Sequence, residues 1–195
     1  MKEYDISAIY YLRRAKQVFC SNDYQTWFYT ALEIRFGVEA RLREYLEYQS
    51  HVSKKKKKGW KPAALTQTID SVFKLPNQEA IFTFTSNKHP DVTLTYRPIT
   101  QELVSIVEKL GDYLHAANKE KMAGTMFWET FEHLLNRGVE LLEYAISGEM
   151  LGAPLKSPEG KVAVFAVVDS EIAEIMAELL KEPEVIINVE YHEIS

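Results

Sequence analysis

Apolar residues recur at helical spacing through four long segments of this chain, and this pattern limits the fold more than any other feature. The segments cover roughly residues 5–19, 24–48, 101–118 and 125–147. In each segment the apolar side chains fall on one stripe when successive residues are turned by about 100°. A helix with one apolar stripe must bury that stripe against another element. The sequence therefore predicts a mainly α protein built as an up-and-down helical bundle.

Length and charge narrow the class of protein further. The chain has 195 residues, a formal net charge of -5 and one cysteine, Cys20. This length suits one substantial core with a small appendage, and the negative charge leaves nucleic-acid binding to local basic patches. A single cysteine excludes an intramolecular disulfide framework, and no uncharged apolar stretch reaches the roughly 20 residues of a membrane-spanning helix. We therefore expect a cytoplasmic protein with no membrane partner.

Two short segments in the middle of the chain have the pattern of β-strands. Residues 81–85 and 92–96 alternate threonine with large apolar side chains, and the polar residues 86–91 separate them. Alternation with a period of two is typical of strands that are buried on one face. The sequence therefore predicts a β-hairpin at residues 80–97, inserted between helices of the bundle.

The character of the chain changes after residue 150. A linker rich in glycine and proline leads to an apolar run at 161–168, a helix capped by Asp169, and a second apolar run at 185–189. This order predicts a small C-terminal βαβ unit. Nearly continuous apolar strands need cover on both faces, and two strands with one helix cannot cover themselves.

The missing cover bears on domain organisation and on assembly. The partner of the C-terminal strands is either the hairpin or the same unit of a second chain, and the second choice predicts a homodimer. We divide the chain into a helical bundle at 1–150 and an appendage at 151–195 that could serve dimerisation.

His115 is the first candidate for a functional residue. It follows the apolar stripe of the third long segment and is expected on the rim of that stripe, while Gly111 one turn earlier would leave one side of the ring open. The alternative is a rim histidine bonded to a carboxylate such as Glu108. Glu108, Gly111 and Asp112 are taken as supporting residues of this candidate site.

Arg35 is the second candidate, because the helical wheel places it inside the apolar arc of the second segment. An arginine in that position needs an acidic partner, and Glu39 follows one turn later. Two interpretations remain open: a partly buried ion pair that fixes helix register, and an active-site role.

A basic run forms the only dense positive patch of the sequence. It consists of Lys54, Lys55, Lys56, Lys57 and Lys58, with Trp60 close behind. Such a run could hold a nucleic-acid backbone while the indole stacks on a base. A solvated loop is the alternative, since blocks of like charge are often no more than that.

Two helix sequences in this chain carry a resemblance to a known group of proteins. ALEIRFGVEARLREYL at 31–46 and KLGDYLHA at 109–116, in a helical chain of this size, resemble the HEPN superfamily of prokaryotic helical domains. The resemblance covers residues 5–146. It implies a dimerising helical bundle of the kind found in toxin–antitoxin and antiphage systems, many members of which are metal-independent ribonucleases.

The resemblance also assigns roles to residues, with one departure. The superfamily carries an arginine and a histidine with four to six residues between them, and His115 matches the histidine. Glu108, Lys109 and Leu110 occupy the positions open to the arginine, and only Lys109 is basic. Lysine is a poor substitute for a planar guanidinium that holds a phosphate. Arg35 could restore an arginine from the neighbouring helix if the two apolar faces pack together.

These observations predict a HEPN-like module that binds single-stranded RNA, with weak or no catalysis, in a toxin–antitoxin or defence system that supplies a partner protein. One alternative is a metal-independent endoribonuclease in which His115 transfers a proton and Arg35 or Lys109 stabilises charge on phosphorus. Another is a structural homodimer subunit or a protein-interaction module. The sequence contains no phosphate-binding glycine loop or metal-ligand spacing, so neither cofactor nor metal is expected.

Overall fold

The computed structural model describes residues 5–20, 23–47, 62–73, 77–115, 125–156, 162–182 and 184–194. The helices are α1 Ala8–Phe19, α2 Tyr24–Glu47, α3 Pro62–Phe73, α4 Gln101–Leu114, α5 Met126–Ile146 and α6 Ser170–Leu179. The strands are β1 Gln78–Thr85, β2 Val92–Tyr96, β3 Leu155–Lys156, β4 Val162–Ala163 and β5 Ile186–Glu193. The mainly helical class predicted from the sequence is confirmed.

Helix α2 is the centre of the helical part, because it packs against α1, α3, α4 and α5. Its apolar side chains meet those of α4 and α5 in one continuous core, as the helical spacing predicted. Fully buried members of this core include Ile34, Leu42, Leu103, Leu110, Phe131 and Leu142. The up-and-down order of the helices stays a prediction. No helix in the described ranges is long and apolar enough to cross a membrane.

A cluster of aromatic rings fixes the end of α4 against α5. Tyr113 stacks on Phe131 with ring centroids 4.3 Å apart, and it also contacts Phe127 at 4.8 Å. Aromatic pairs at such distances stabilise packing beyond the area that they bury. The last turn of α4, which leads to His115, is therefore held in a defined position relative to α5.

The predicted hairpin is confirmed. Strands β1 and β2 pair antiparallel, with Phe82 opposite Leu94 and Phe84 opposite Val92. These four side chains are buried, while Thr83 and Thr93 pair across the other face. The alternation of threonine with apolar residues thus sorts the two faces of the hairpin as expected for strands.

The C-terminal βαβ prediction is wrong in its pairing. Asp169 does cap α6, accepting a hydrogen bond from the Ile172 amide at 2.9 Å. However, β4 is a two-residue strand paired with β3, whereas β5 pairs antiparallel along the whole of β1. The strands before and after α6 therefore lie in different sheets.

The physical reason is that apolar content alone does not choose a strand's partner. Of the two candidates, the hairpin is the one that pairs with β5, and it completes a sheet with the order β2-β1-β5. The run before α6 instead bonds irregularly to the segment after α5, with the Leu151 amide donating to the Phe165 carbonyl at 2.8 Å. The division at residue 151 stays a prediction.

Candidate functional site

His115 lies just past the end of α4, and its side chain is exposed. Its backbone is extended, with φ −74° and ψ 149°, so it closes the helix without belonging to it. The expectation that α4 continues through His115 is therefore wrong, and residues 116–118 lie outside the described ranges. Within those ranges no hydrogen bond joins the His115 ring to Glu108, which is itself exposed.

Arg35 has the acidic partner that its position required. Its Nε lies 3.3 Å from Oε1 of Glu39, one helical turn away, and its side chain is 27% exposed. The other oxygen of Glu39 accepts a hydrogen bond from Arg43 at 3.3 Å. The predicted ion pair is thus confirmed, and it fixes the direction in which the Arg35 guanidinium leaves α2.

The Arg35 guanidinium reaches across to the last full turn of α4. Its Nη1 lies 3.8 Å from the position that a Cβ on Gly111 would occupy. The space beside Gly111, which the sequence suggested would expose the His115 ring, is therefore taken by Arg35. This contact brings an arginine of α2 to the turn of α4 that precedes His115.

Lys109 lies on a different face of α4 from Gly111, since residues two positions apart in a helix point in directions that differ by about 200°. It is exposed and lines a groove of about 490 Å³ between α4 and α5, which His133 also borders. Arg137 in this groove is bonded to both carboxylate oxygens of Glu102 at 2.8 Å. That hydrogen bonding lowers the pKa of Glu102 below its usual value.

The predicted site residues therefore separate into two groups. Arg35, Glu39 and Gly111 come together between α2 and α4, and Lys109 faces the groove at α5. Asp112, like Glu108, is exposed on α4. The basic run Lys54–Lys58 and Trp60 lie outside the described residues, so their role stays a prediction.

A second polar cluster was not anticipated from the sequence. The Arg41 side chain is only 3% exposed; it donates to the Gly148 carbonyl at 2.6 Å and pairs with Glu44 at 3.1 Å. Its guanidinium also lies 4.7 Å from the ring centroid of Tyr45. Although burial acts to lower it, Tyr45 and Glu44 together raise the pKa of Arg41. These contacts tie α2 to the segment that follows α5.

The signal for Arg41 was weak because one of its hydrogen-bond partners, the Gly148 carbonyl, comes from far along the chain. Gly148 is 107 residues away from it in sequence, and a helical wheel of α2 contains no information about that segment. Arg41, Glu44 and Glu149 line a cavity of about 350 Å³ between α1, α2 and the end of α5. In this position Arg41 acts as a link between elements of the fold.

The chain was also compared with known protein families, curated proteins and solved structures, and none of the three comparisons found a match. The HEPN resemblance therefore stands on the two helix sequences quoted for it.

Proposed function

We propose that this protein is a HEPN-like module that binds single-stranded RNA, with weak or no catalysis, as part of a toxin–antitoxin or antiphage-defence system. One observation carries the proposal: Arg35 of α2 lies beside Gly111, one turn before the exposed His115. Helix α4 lacks an arginine at the positions where the superfamily carries it. Arg35 supplies a guanidinium to the same turn from the neighbouring helix.

The chemistry of these groups suits a phosphate ligand. A guanidinium presents several donors in a rigid plane that matches the oxygens of a phosphate. The ion pair with Glu39 holds this plane in one orientation at 3.3 Å, so less side-chain entropy is lost when a ligand binds. His115 at the end of α4 adds an exposed ring that can bond to a phosphate or stack on a base.

The ion pair between Arg35 and Glu39 favours a binding role for Arg35 over a catalytic role. A catalytic arginine stabilises the negative charge that develops on phosphorus in the transition state. Glu39 is 8% exposed and bonded to both Arg35 and Arg43, so part of the positive charge of Arg35 is already offset. Any cleavage should therefore be slow compared with that of an enzyme whose arginine has no carboxylate partner.

A metal-independent ribonuclease is the second candidate, and the exposure of His115 favours it. In that reaction the imidazole accepts the 2′-hydroxyl proton as the ribose 2′-oxygen attacks phosphorus, and the bond from phosphorus to the 5′-oxygen breaks. The products are a 2′,3′-cyclic phosphate and a 5′-hydroxyl, whose oxygen takes a proton from water. A single-stranded substrate is needed because the attacking and leaving oxygens must come into line. The step needs a neutral histidine and a flexible strand. The binding module and the ribonuclease would use the same binding surface.

Fluorescence anisotropy with a short, unstructured, labelled RNA at low salt tests the proposal. Arg35→Gln should weaken binding. Arg43→Gln should not, because Arg43 binds the same Glu39 carboxylate but is not part of the proposed phosphate contact; it lies one turn beyond Glu39, with its side chain 53% exposed. This pair of variants separates loss of the ion pair from loss of a ligand contact. Absence of any affinity in the native protein would refute the proposal.

Cleavage of the same RNA in the presence of a chelator separates the two candidates. His115→Ala should remove any cleavage while most of the affinity remains. His133→Ala is the matched control, since His133 is an exposed histidine on α5 that lines the other groove. Rapid cleavage by the native protein, lost only with His115→Ala, would replace the binding module with the ribonuclease.

A further inference from the structure

Strand β5 forms one edge of the three-stranded sheet, whose order is β2-β1-β5. The opposite edge is partly covered, because the Met150 amide donates to the Thr95 carbonyl at 3.0 Å and the Thr95 amide donates to Glu149 at 2.9 Å. In the part of the chain that the structure describes, no further strand pairs with the outer edge of β5. Its outward amides and carbonyls are therefore open to another strand.

The sequence of β5 lacks most of the features that usually protect an edge, although it carries Glu190 and Glu193. Natural edges are kept short, or carry lysine, proline or a bulge that discourages pairing with another chain. Strand β5 has eight residues, IINVEYHE, and keeps an unbroken register with β1 from Ile186 to Glu193. It contains neither lysine nor proline. A long, regular edge of this kind is a template for another strand.

The apolar face of the sheet continues to this edge without full cover. Val189 lies opposite Phe82, and Ile187 lies opposite Phe84. Both phenylalanines are buried, but both β5 residues are only partly buried, and Tyr191 on the same face is 56% exposed. A neighbouring strand with apolar residues at alternate positions would extend the covered area.

We propose that β5 pairs antiparallel with β5 of a second copy of this chain, about a two-fold axis at Val189, to give a continuous six-stranded sheet. Residues that lie opposite each other in such a pair share a face of the sheet. On the apolar face Val189 then meets Val189 of the second copy, and Ile187 meets Tyr191. On the other face Asn188 meets Glu190, and Ile186 meets His192.

This register identifies a second copy as the partner because the strand complements itself. Apolar residues meet apolar residues on one face of the sheet, and on the other face Glu190 meets the side-chain amide of Asn188. A shift of the axis to Glu190 would place two glutamates directly opposite each other, which is destabilising. The axis at Val189 also lies close to the middle of β5, so nearly the whole strand is paired.

A disulfide experiment tests the axis directly. Cys20 is exposed and is the only cysteine, so Cys20→Ser gives a background with no thiol. In this background Val189→Cys should form a covalent dimer on mild oxidation. Opposite Cα atoms in an antiparallel pair lie about 4.5–5.5 Å apart, within the range that a disulfide spans.

Glu193→Cys in the same background is the matched control. It places an exposed thiol on the same strand, but in the proposed register its equivalent in the second copy lies about 26 Å away, eight residues along the ladder. It should remain monomeric on a denaturing gel without reductant. Equal cross-linking of both variants, or none by Val189→Cys, would overturn the proposed register.

Sedimentation equilibrium tests the interface without cysteine chemistry. The native protein should be a dimer, and Tyr191→Lys should be a monomer with an unchanged circular dichroism spectrum, because lysine protects an edge strand. Tyr29→Lys is the control, since Tyr29 on α2 is 63% exposed and remote in sequence from the sheet. A monomeric native protein, or a dimer that only Tyr29→Lys disrupts, would refute the proposal.

Discussion

Nη1 of Arg35 lies 3.8 Å from the position that a Cβ on Gly111 would occupy. This is an ordinary van der Waals distance, so the guanidinium rests on the surface of α4 without being wedged into it. The absence of a side chain at Gly111 allows Arg35 to approach the helix backbone closely. The contact joins the two helices from which the candidate RNA site is built.

Gly111→Ala is expected to raise the free energy of unfolding by about 0.5–1 kcal/mol, because alanine restricts the unfolded chain and favours the helix. Gly37→Ala, also within a helix, should instead lower it by about 1–3 kcal/mol through overpacking. A Cβ on Gly37 would lie 2.6 Å from Cδ2 of Leu142 and 3.3 Å from Cβ of Tyr11. Urea unfolding measures both changes, and equal effects would contradict the packing described.

A larger side chain at the same position should affect binding more than stability. Gly111→Leu would push the Arg35 guanidinium away from α4, since the added atoms extend past the 3.8 Å contact. We expect RNA affinity to fall to the level of Arg35→Gln while the circular dichroism spectrum is kept. Combining both changes should weaken binding no further, because they act on the same contact. Additive losses would show that Arg35 and Gly111 act separately.

Local patterns predicted the parts of the fold that depend on residues close in sequence. The helices and the hairpin follow from periods of about 3.6 and two residues. The Arg35–Glu39 pair was also predictable, because residues four apart lie on the same face of a helix. The approach of Arg35 to α4 was predicted only on the condition that the two apolar faces pack together.

Features that depend on distant residues were not predictable in the same way. The choice of β1 as the partner of β5 depends on strands about 100 residues apart, and apolar content contains no information about register. Arg41 is more deeply buried than Arg35, yet its partner Gly148 follows α5. The helix α4 ends at Leu114, before His115. The sequence placed this end too late because periodicity locates helix ends poorly.

Arg41→Met is expected to lower the free energy of unfolding by about 3–5 kcal/mol, because it leaves buried polar groups without their charged partner. The Gly148 carbonyl would lose a 2.6 Å hydrogen bond, and Glu44 would lose its ion pair. Arg137→Met is the control: its side chain is 39% exposed, so the loss should stay within about 1 kcal/mol. Chemical denaturation that gave similar losses for both would contradict a structural role for Arg41.

RNA affinity should decrease as salt is added, since binding to a phosphate backbone releases condensed counterions. Replacing Lys54–Lys58 with glutamine should reduce the slope of log affinity against log salt by about 0.7 for each RNA phosphate that is no longer neutralised. Replacing Lys181 should leave the slope unchanged. Lys181 lies just after α6, outside the proposed RNA site, and is bonded to Glu178 of that helix. A slope that is unaffected by the five substitutions would assign the basic run to a solvated loop.

The ion pair between Glu102 and Arg137 should make stability depend on pH in the acid range. Hydrogen bonds from Arg137 lower the pKa of Glu102 below its usual value of 4.5, so the folded state binds a proton here less readily than the unfolded state. The resulting stabilisation is fully present above about pH 4.5 and is lost as the pH falls through the lowered pKa. Its size should be modest, because Glu102 is 51% exposed and solvent screens the pair.

Urea midpoints measured from pH 6 down to about pH 3 test this dependence. Glu102→Gln should flatten the curve, since the amide cannot titrate and its bond to Arg137 is no longer charge-assisted. Glu132→Gln is the matched control, since Glu132 is an exposed glutamate on α5 whose carboxylate forms no ion pair with the residues that the structure describes. Native and Glu102→Gln curves that ran parallel throughout would mean that the two bonds to Arg137 at 2.8 Å do not persist in solution.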